Sequence, residues 1–358
     1  MPRLSICIPT FNRGPFIGQT LESIISQATD EVDIVISDNA SDDETPDIVA
    51  RFRERFPRIT YFRWKENVGP DRNFLKAVEL ASGEYSWLLG SDDRIEDGGI
   101  QSVLDALGRY PGLAGISVNR QAYDKSMTRK IPERPVGGWR LKQDTLIHDA
   151  ELACTLLGDY FGYLSGQVVN RELWLEVAET HDLEEYCNAY VHVYIILNML
   201  LRRPKWLYLH RKCVGWRSGN DSFLSQGLYR RLEIDVVGFE RISRDVFGVR
   251  SRAYHSLQKT VACVHARYNV LGAKVNGAPS EYYARAWRLL VRYYWRYPTF
   301  WIKTVPLLVL PGKGLKALRW LYRLTLKRYY LRRLRQWDQI QRQSAGSRTV
   351  DTLSETLS

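Results

Sequence analysis

Residues 85–89 (Tyr-Ser-Trp-Leu-Leu) carry no charge and stop at Gly90, and the next three residues are Ser91, Asp92 and Asp93. An uncharged aromatic and aliphatic run of this kind reads as a strand covered on both faces, in the middle of an α/β sheet. Ligands of such sheets bind in the crevice beyond the carboxyl ends of the strands. The two adjacent carboxylates then fall at the mouth of that crevice. There they can seat a hard divalent cation, which in turn holds phosphate oxygens. Taken alone, Gly-Ser-Asp-Asp is as compatible with a turn and a helix N-cap, and the residues upstream have to decide.

Upstream, strands alternate with helices. Residues 4–10 read as a first strand, 32–37 as a second and 59–64 as a third. A helix with apolar positions at Phe16, Ile17, Leu21, Ile24 and Ile25 follows the first, and residues 44–56 form a helix after the second. A third helix ends near Ala81. This alternation with short loops predicts a mainly parallel, doubly wound α/β sheet flanked by helices. Every strand exit is polar: Thr10 with Asn12 and Arg13, Asp38 with Asn39, Asn67 to Asn73, and Asp92 with Asp93. Exits on one edge of a parallel sheet point the same way, so these residues should meet. No G-x-G-x-x-G follows the first strand and no phosphate-loop lysine motif is present, which argues against a dinucleotide oxidoreductase or a P-loop nucleotide hydrolase. A nucleotide can still be held: a carboxylate accepts from base or ribose, an arginine pairs with phosphate, and a cation takes the pyrophosphate.

With these motifs in order over about 90 residues, the sequence resembles the family 2 glycosyltransferases of the GT-A fold. They are Ser5 to Arg13, Ile36 to Asp43, Asn67-Val68-Gly69 with Arg72-Asn73, and Leu89 to Asp93. Within that family it is most similar to the enzymes that add deoxy- or dideoxyhexoses to bacterial O-antigen units. The resemblance implies roles by position. Thr10, Asn12 and Arg13 line the nucleotide pocket, Asp38 contacts the base beside Asn39, and Asn67, Gly69, Arg72 and Asn73 form the next wall. Ser91 and Asp92 face the ribose or donor sugar, and Asp93, with Asp92, binds Mg²⁺ or Mn²⁺. Many relatives carry an acid where this chain has Gly90, so the metal shell is sparse and is completed by water and pyrophosphate. Simpler readings stand beside these: Asn39 and Ser41 are ordinary turn formers, Asp42 and Asp43 suit a helix start, and Arg72 can be solvated.

An inverting transfer needs a group to take the proton from the acceptor hydroxyl. Relatives place an acidic pair at the start of an amphipathic helix; here residues 189–197 are the comparable helix, and His192 occupies about the matching place. A histidine titrates near neutrality and suits the role, although a core histidine with a satisfied ring is the plain alternative. Glu185, Asp182 and Asp221 are the reserves. Residues 213–222 resemble the family's mobile loop near the pyrophosphate, whose closure excludes water. Arg217 there contacts the leaving diphosphate or is solvated.

The chain divides by composition into a catalytic domain over residues 1–225, a basic, aromatic-rich helical extension over 226–343 and a disordered tail over 344–358. Residues 314–341 read as an amphipathic basic helix. The net charge is +11, and residues 281–343 hold 15 Lys/Arg against two acids, so the basicity belongs to the extension. Trp and Tyr beside Lys and Arg suit an anionic bilayer interface, or a helical layer that buries its aromatics on the core. No nucleic-acid recognition module appears. Five cysteines in no metal-like pattern, without a leader peptide or a run long enough to span a bilayer, point to a reduced cytosolic protein. The expected partners are a nucleotide-diphospho-sugar donor, a polyprenyl-diphosphate-linked oligosaccharide acceptor and the inner face of the cell membrane, where the protein sits peripherally. The competing readings are a sugar-nucleotide nucleotidyltransferase, which would carry a glycine-rich phosphate loop with a lysine, and a catalytically inactive binding protein.

Overall fold

A computed structural model describes residues 2–132, 141–311 and 314 of the 358-residue chain. The expected helix over 314–341 and tail over 344–358 lie outside the described residues, Gly314 apart.

The strands and helices alternate from the start: β1 (Leu4–Thr10), α1 (Gly14–Ile25), β2 (Val32–Asp38), α2 (Thr45–Arg55), β3 (Ile59–Arg63), α3 (Pro70–Glu79), β4 (Tyr85–Leu88), β5 (Arg94–Ile95) and α4 (Gly99–Arg109). Then come β6 (Gly115–Tyr123), β7 (Thr145–Ile147), α5 (Ala150–Leu157), β8 (Gln167–Asn170), α6 (Arg171–Thr180), α7 (Val191–Arg202) and β9 (Trp206–Arg217). The sheet runs β3-β2-β1-β4-β8-β6-β9-β5, with β7 paired to β9. β3, β2, β1 and β4 are parallel, β8 is antiparallel to both β4 and β6, and β6 and β9 are parallel. β4 therefore sits mid-sheet, as its uncharged sequence requires.

The two-residue period of a strand sends alternate side chains of β1 to opposite faces. Leu4, Ile6 and Ile8 join Trp87 and Leu89 in the cluster under α1 and α4. Cys7 joins Val35, Leu88 and the second, larger cluster. In that second layer ten successive residues of α7, Val191 to Leu200, are buried. A helix apolar on every side belongs inside a protein, and α7 lies among α3, α5, α6 and the following helices.

Those are α8 (Leu228–Phe247), α9 (Arg252–Thr260), α10 (Ala266–Val275), α11 (Ser280–Tyr294), α12 (Pro298–Lys303) and α13 (Val305–Val309). The anticipated boundary near 225 falls in a 3₁₀ turn, Ser222–Gln226. The helices beyond it bury Tyr282, Leu290, Tyr294, Tyr297 and Phe300 in the same cluster as α7. Cys7, Cys154 and Cys213 are buried and all five cysteines are free thiols. Burial pushes the Cys7 and Cys213 thiols up to about 12.

Two segments of the sheet are irregular. Residues 163–169 are not one strand: two 3₁₀ turns, Tyr160–Gly162 and Leu164–Gly166, precede the short β8. The chain is tied inward there, with Trp87 Nε1 donating to Ser165 O at 2.9 Å. β9 does not end at 209; its pairing with β6 shifts between Val118 and Arg120, a bulge. Lys212 itself pairs with Asn119, so the unpaired residues are His210, Arg211 and Cys213, and the strand resumes from Val214 through Arg217, inside the anticipated loop.

Candidate active site

The loops at the β1, β2, β3 and β4 exits are bonded to one another. Asn12, at φ 50°, takes a left-handed turn that asparagine tolerates. Its N–H donates to Ser41 Oγ at 2.9 Å, and its Oδ1 accepts from Asp42 N at 3.0 Å. Arg13 N donates to Thr45 Oγ1 at 2.9 Å. Asn39 Nδ2 donates to Asn67 Oδ1 at 2.8 Å, and Asn39 Oδ1 accepts from Val68 N. Gly69 supplies φ 87° at the turn into α3, a value that favours glycine. Thr10 Oγ1 is buried without a partner.

Several expected donor contacts are already engaged within the protein. Asp38 is fully buried; Oδ1 accepts from Ser41 N at 2.9 Å and Ser41 Oγ at 2.6 Å, and Oδ2 from Tyr61 OH at 2.6 Å. Asn73 Oδ1 accepts from Ser37 Oγ and Trp64 Nε1, and its Nδ2 donates to Thr10 O. Asp38 and Asn73 thus fasten the loops. Arg72 is exposed and paired with Glu184 at 3.0 Å.

The two β4-exit acids differ sharply. Asp93 is 4% exposed; Oδ1 accepts from Arg217 N at 2.9 Å, and Oδ2 from Tyr163 OH at 2.8 Å and Ser165 Oγ at 2.6 Å. Burial, and then the neighbouring Asp92 charge, push its carboxyl up to about 7. Asp92 is half-buried, and Asn220 Nδ2 donates to its Oδ2 at 2.5 Å. A Cβ on Gly90 would lie 3.3 Å from Asp92 Oδ1 and 3.6 Å from Asp93 Oδ2. The same Cβ would lie 3.1 Å from Ser165 Oγ, so a side chain at position 90 would point at the pair only if these neighbours gave way by a few tenths of an ångström. Among the described residues no group of three His, Cys, Asp or Glu side chains gathers to hold a metal. Of the two expected metal ligands, Asp93 is buried and bonded on both oxygens, and Asp92 is the more accessible. One such carboxylate fits a cation held mostly by water and phosphate oxygens.

Arg217 is 5% exposed. Its Nε donates to Asp92 O at 2.7 Å, Nη1 to Lys125 O at 2.6 Å and Nη2 to Gln19 Oε1 at 2.5 Å, which ties the β4 exit to β9. Ser91 is likewise buried, and Thr20 Oγ1 donates to its carbonyl.

His192 stands in the first turn of α7, in the wall of a cavity of about 110 Å³ with Phe74, Gly162, Leu164, Ala189, Tyr190, Phe223 and Arg231. It is 2% exposed. The Phe161–Gly162 backbone influences the ring but lies outside hydrogen-bond geometry, and neither ring nitrogen has a partner. Burial lowers its pKa to about 4, so the ring is neutral at ordinary pH. Asp221 does not line the cavity but bonds two residues that do: Oδ2 accepts from Arg231 Nε at 2.7 Å and Oδ1 caps Phe223 N. Glu185 and Asp182 are not brought to this cavity; Asp182 caps Glu184 N and Glu185 lies 3.9 Å from Arg241.

Tyr163, Ser165 and Asn220 were not legible as partners of the acids, because each lies 70 or more positions away. Asp71 was missed too. Its carboxylate receives Ala189 N at 2.7 Å and Val191 N at 3.1 Å, which pins the start of α7 to α3. The left-handed Ala189, at φ 83°, is the strain that this clamp holds.

Residues 5–165 match the profile described as Glycosyl transferase family 2. The chain is 32% identical over 258 residues to the abequosyltransferase RfbV of Salmonella typhimurium, covering 68% of this chain and 75% of that one. The chain belongs to glycosyl transferase family 2. It is therefore a glycosyltransferase, which sets aside both the nucleotidyltransferase and the inactive binding protein. A Campylobacter jejuni GalNAc(5)-diNAcBac-PP-undecaprenol beta-1,3-glucosyltransferase is 33% identical over 107 residues, 29% of this chain and 34% of that one. Among solved structures, Staphylococcus aureus TarS 1-349 in complex with UDP-GlcNAc superposes with a TM-score of 0.59 at 15% identity, over 82% of this chain and 80% of that one. The mannosyltransferase PcManGT of Pyrobaculum calidifontis, in complex with GDP-Man and Mn²⁺, gives 0.54 at 17% identity, over 88% and 87%. These likenesses show the GT-A fold. No helix among the described residues is long and apolar enough to cross a membrane.

Proposed function

We propose that this family member transfers a sugar, with inversion, from a nucleotide-diphospho donor to a polyprenyl-diphosphate-linked oligosaccharide, in the assembly of a bacterial O-antigen or related surface polysaccharide. The observation that carries the reading is Asp92, partly exposed at the exit of the central strand, where the loops of β1, β2 and β3 are bonded together. The names of the Salmonella and Campylobacter relatives support the acceptor class. The enzyme works in the cytoplasm at the inner face of the membrane.

In this reading Thr10, Asn12, Arg13, Asn39, Asn67 and Gly69 form the nucleotide wall, and Arg72 swings from Glu184 to the phosphates. Asp38 fixes the floor through Ser41 and Tyr61, and its backbone lies beside the base. Asp92, braced by Asp93, holds Mg²⁺ or Mn²⁺. When bound, the cation stabilises the negative charge of the leaving nucleoside diphosphate. Residues 218–221, tied to Asp92 through Asn220, exclude water from the donor.

The acceptor hydroxyl enters the cavity beside His192, whose neutral ring leaves a nitrogen lone pair for the proton. Its low pKa makes it a weak base in the ground state, so proton transfer must accompany formation of the new glycosidic bond. A second reading assigns the proton to Asp221, favoured because its carboxylate bonds Arg231 in the cavity wall and follows the residue that holds Asp92. The test compares His192→Ala and Asp221→Asn in transfer to a lipid-linked acceptor. The variant that loses about 100-fold or more in kcat while retaining donor binding identifies the base. If neither variant loses activity, the inverting assignment fails.

A further inference from the structure

α11 and α12 bury one set of aromatic side chains and leave another in solvent. Tyr282, Tyr294, Tyr297 and Phe300 belong to the core. On the outside Trp287 is 37% exposed, Trp301 42%, Trp295 60% and Ile302 73%. These outer residues form one patch. The Trp287 and Trp301 rings meet edge to face at 6.2 Å, and Trp301 Nε1 donates to Trp295 O at 2.8 Å. Arg285, Arg288, Arg292, Arg296 and Lys303 are exposed around them, and no Asp or Glu occurs from residue 285 to 309. Arg285 has Glu281 at 3.9 Å; among the described residues no carboxylate lies within ion-pair distance of Arg288, Arg292, Arg296 or Lys303.

We infer that this face docks on an anionic lipid bilayer. Indole rings settle at the headgroup level of a bilayer, with the ring body towards the acyl chains and the N–H end towards water. Cations beside them meet lipid phosphates, and the missing acids remove the repulsion those phosphates would meet. Interleaved indoles and cations on a convex pair of helices match an extended layer of headgroups above hydrocarbon. The inference rests on the proposed function only for its purpose, which is to bring the active site to a bilayer-borne acceptor. Binding itself depends on the face alone.

The test is co-sedimentation of the full chain with phosphatidylcholine vesicles, made with and without phosphatidylglycerol. The protein should pellet with the anionic vesicles only, and added salt should release it. Each lost cation is worth roughly five-fold in partitioning. Arg288→Glu/Arg296→Glu should therefore weaken binding by at least about 25-fold, and Trp295→Ser/Ile302→Ser by roughly ten-fold or more. Both variants should keep the wild-type rate of donor hydrolysis in the absence of vesicles, which shows that they fold. Equal binding to neutral vesicles, or variants that bind like the wild type, would overturn the inference. So would a wild-type chain that stays in the supernatant, whether a second copy or residues 315–358 cover the face. A chain that binds vesicles but hydrolyses no donor would count against the transferase reading and leave this one standing.

Discussion

Asn220 Nδ2 donates to Asp92 Oδ2 at 2.5 Å, across 128 positions of sequence. The bond joins the segment after β9 to the acid at the end of β4. Any ligand of Asp92 must share that carboxylate with residue 220, so the position of residues 218–221 and occupancy of the donor site are linked. Asn220→Ala should lower kcat/KM by about ten-fold or more, the worth of a hydrogen bond to a charged group. It should leave the melting temperature unchanged, because the residue sits in a short connection outside both core clusters. Steady-state kinetics with a thermal melt checks both halves.

Asp93 has the opposite profile. Asp93→Ala leaves Tyr163 OH, Ser165 Oγ and Arg217 N without an acceptor in a buried place. The cost is about 1–3 kcal/mol for each group left unsatisfied, and the melting temperature should fall by several degrees. Asp92→Asn, at a half-buried position, should melt like the wild type. Equal melting of the two variants would contradict the division of roles.

Gly90 sets the strength of the metal site. With one reachable carboxylate, the protein alone should bind Mn²⁺ weakly, and nucleoside diphosphate should tighten binding by supplying phosphate oxygens. Gly90→Asp directs a carboxylate into the corner beside Asp92 and should raise Mn²⁺ affinity in the absence of nucleotide by about ten-fold. Electron paramagnetic resonance of free Mn²⁺ measures this without turnover. Unchanged affinity in the variant would place the metal elsewhere.

The helical layer carries a buried charge pair that ties its stability to pH. His265 Nδ1 lies 3.4 Å from Asp235 Oδ2, with Asp159 4.0 Å from Nε2. Arg231 and Tyr190 donate to Asp235 Oδ1. Burial lowers the His265 pKa, but Asp235 outweighs it and holds the value above the ordinary 6.5. For Asp235, burial would raise the carboxyl, yet His265 and Arg231 hold it at about 2 against an ordinary 3.8. The histidine's contribution is complete below pH 6.5 and fades as pH rises through its higher folded value. The carboxylate's contribution is complete above 3.8 and fades as pH falls through about 2. The melting temperature should therefore decline on the alkaline side of 6.5, and His265→Gln should flatten that decline. An unchanged slope in the variant would refute the assignment.

The catalytic half of the fold was readable because its physics is local. Uncharged β4, polar exits and helical periods each follow from a few adjacent residues, and the exits do converge. The details that failed depend on distant partners. The bulge that carries β9 past His210 exists only because β6 lies alongside. The opposite environments of Asp92 and Asp93 come from Asn220, Tyr163 and Ser165, which adjacent identical side chains gave no means to foresee. His192 lines a cavity, but its depressed pKa follows from a burial set by Asp71 and the packing of α7. In the helical extension the aromatic count spoke equally for core and surface, and both were true of different residues.

The most direct test of the account is a donor-hydrolysis screen. The purified chain is incubated with UDP-, GDP-, CDP- and dTDP-sugars plus Mg²⁺ or Mn²⁺, and released nucleoside diphosphate is measured. The account predicts release from one class of donor, reduced about 100-fold or more by Asp92→Asn. Release that survives Asp92→Asn, or a chain that neither hydrolyses nor binds any of these donors, would contradict it.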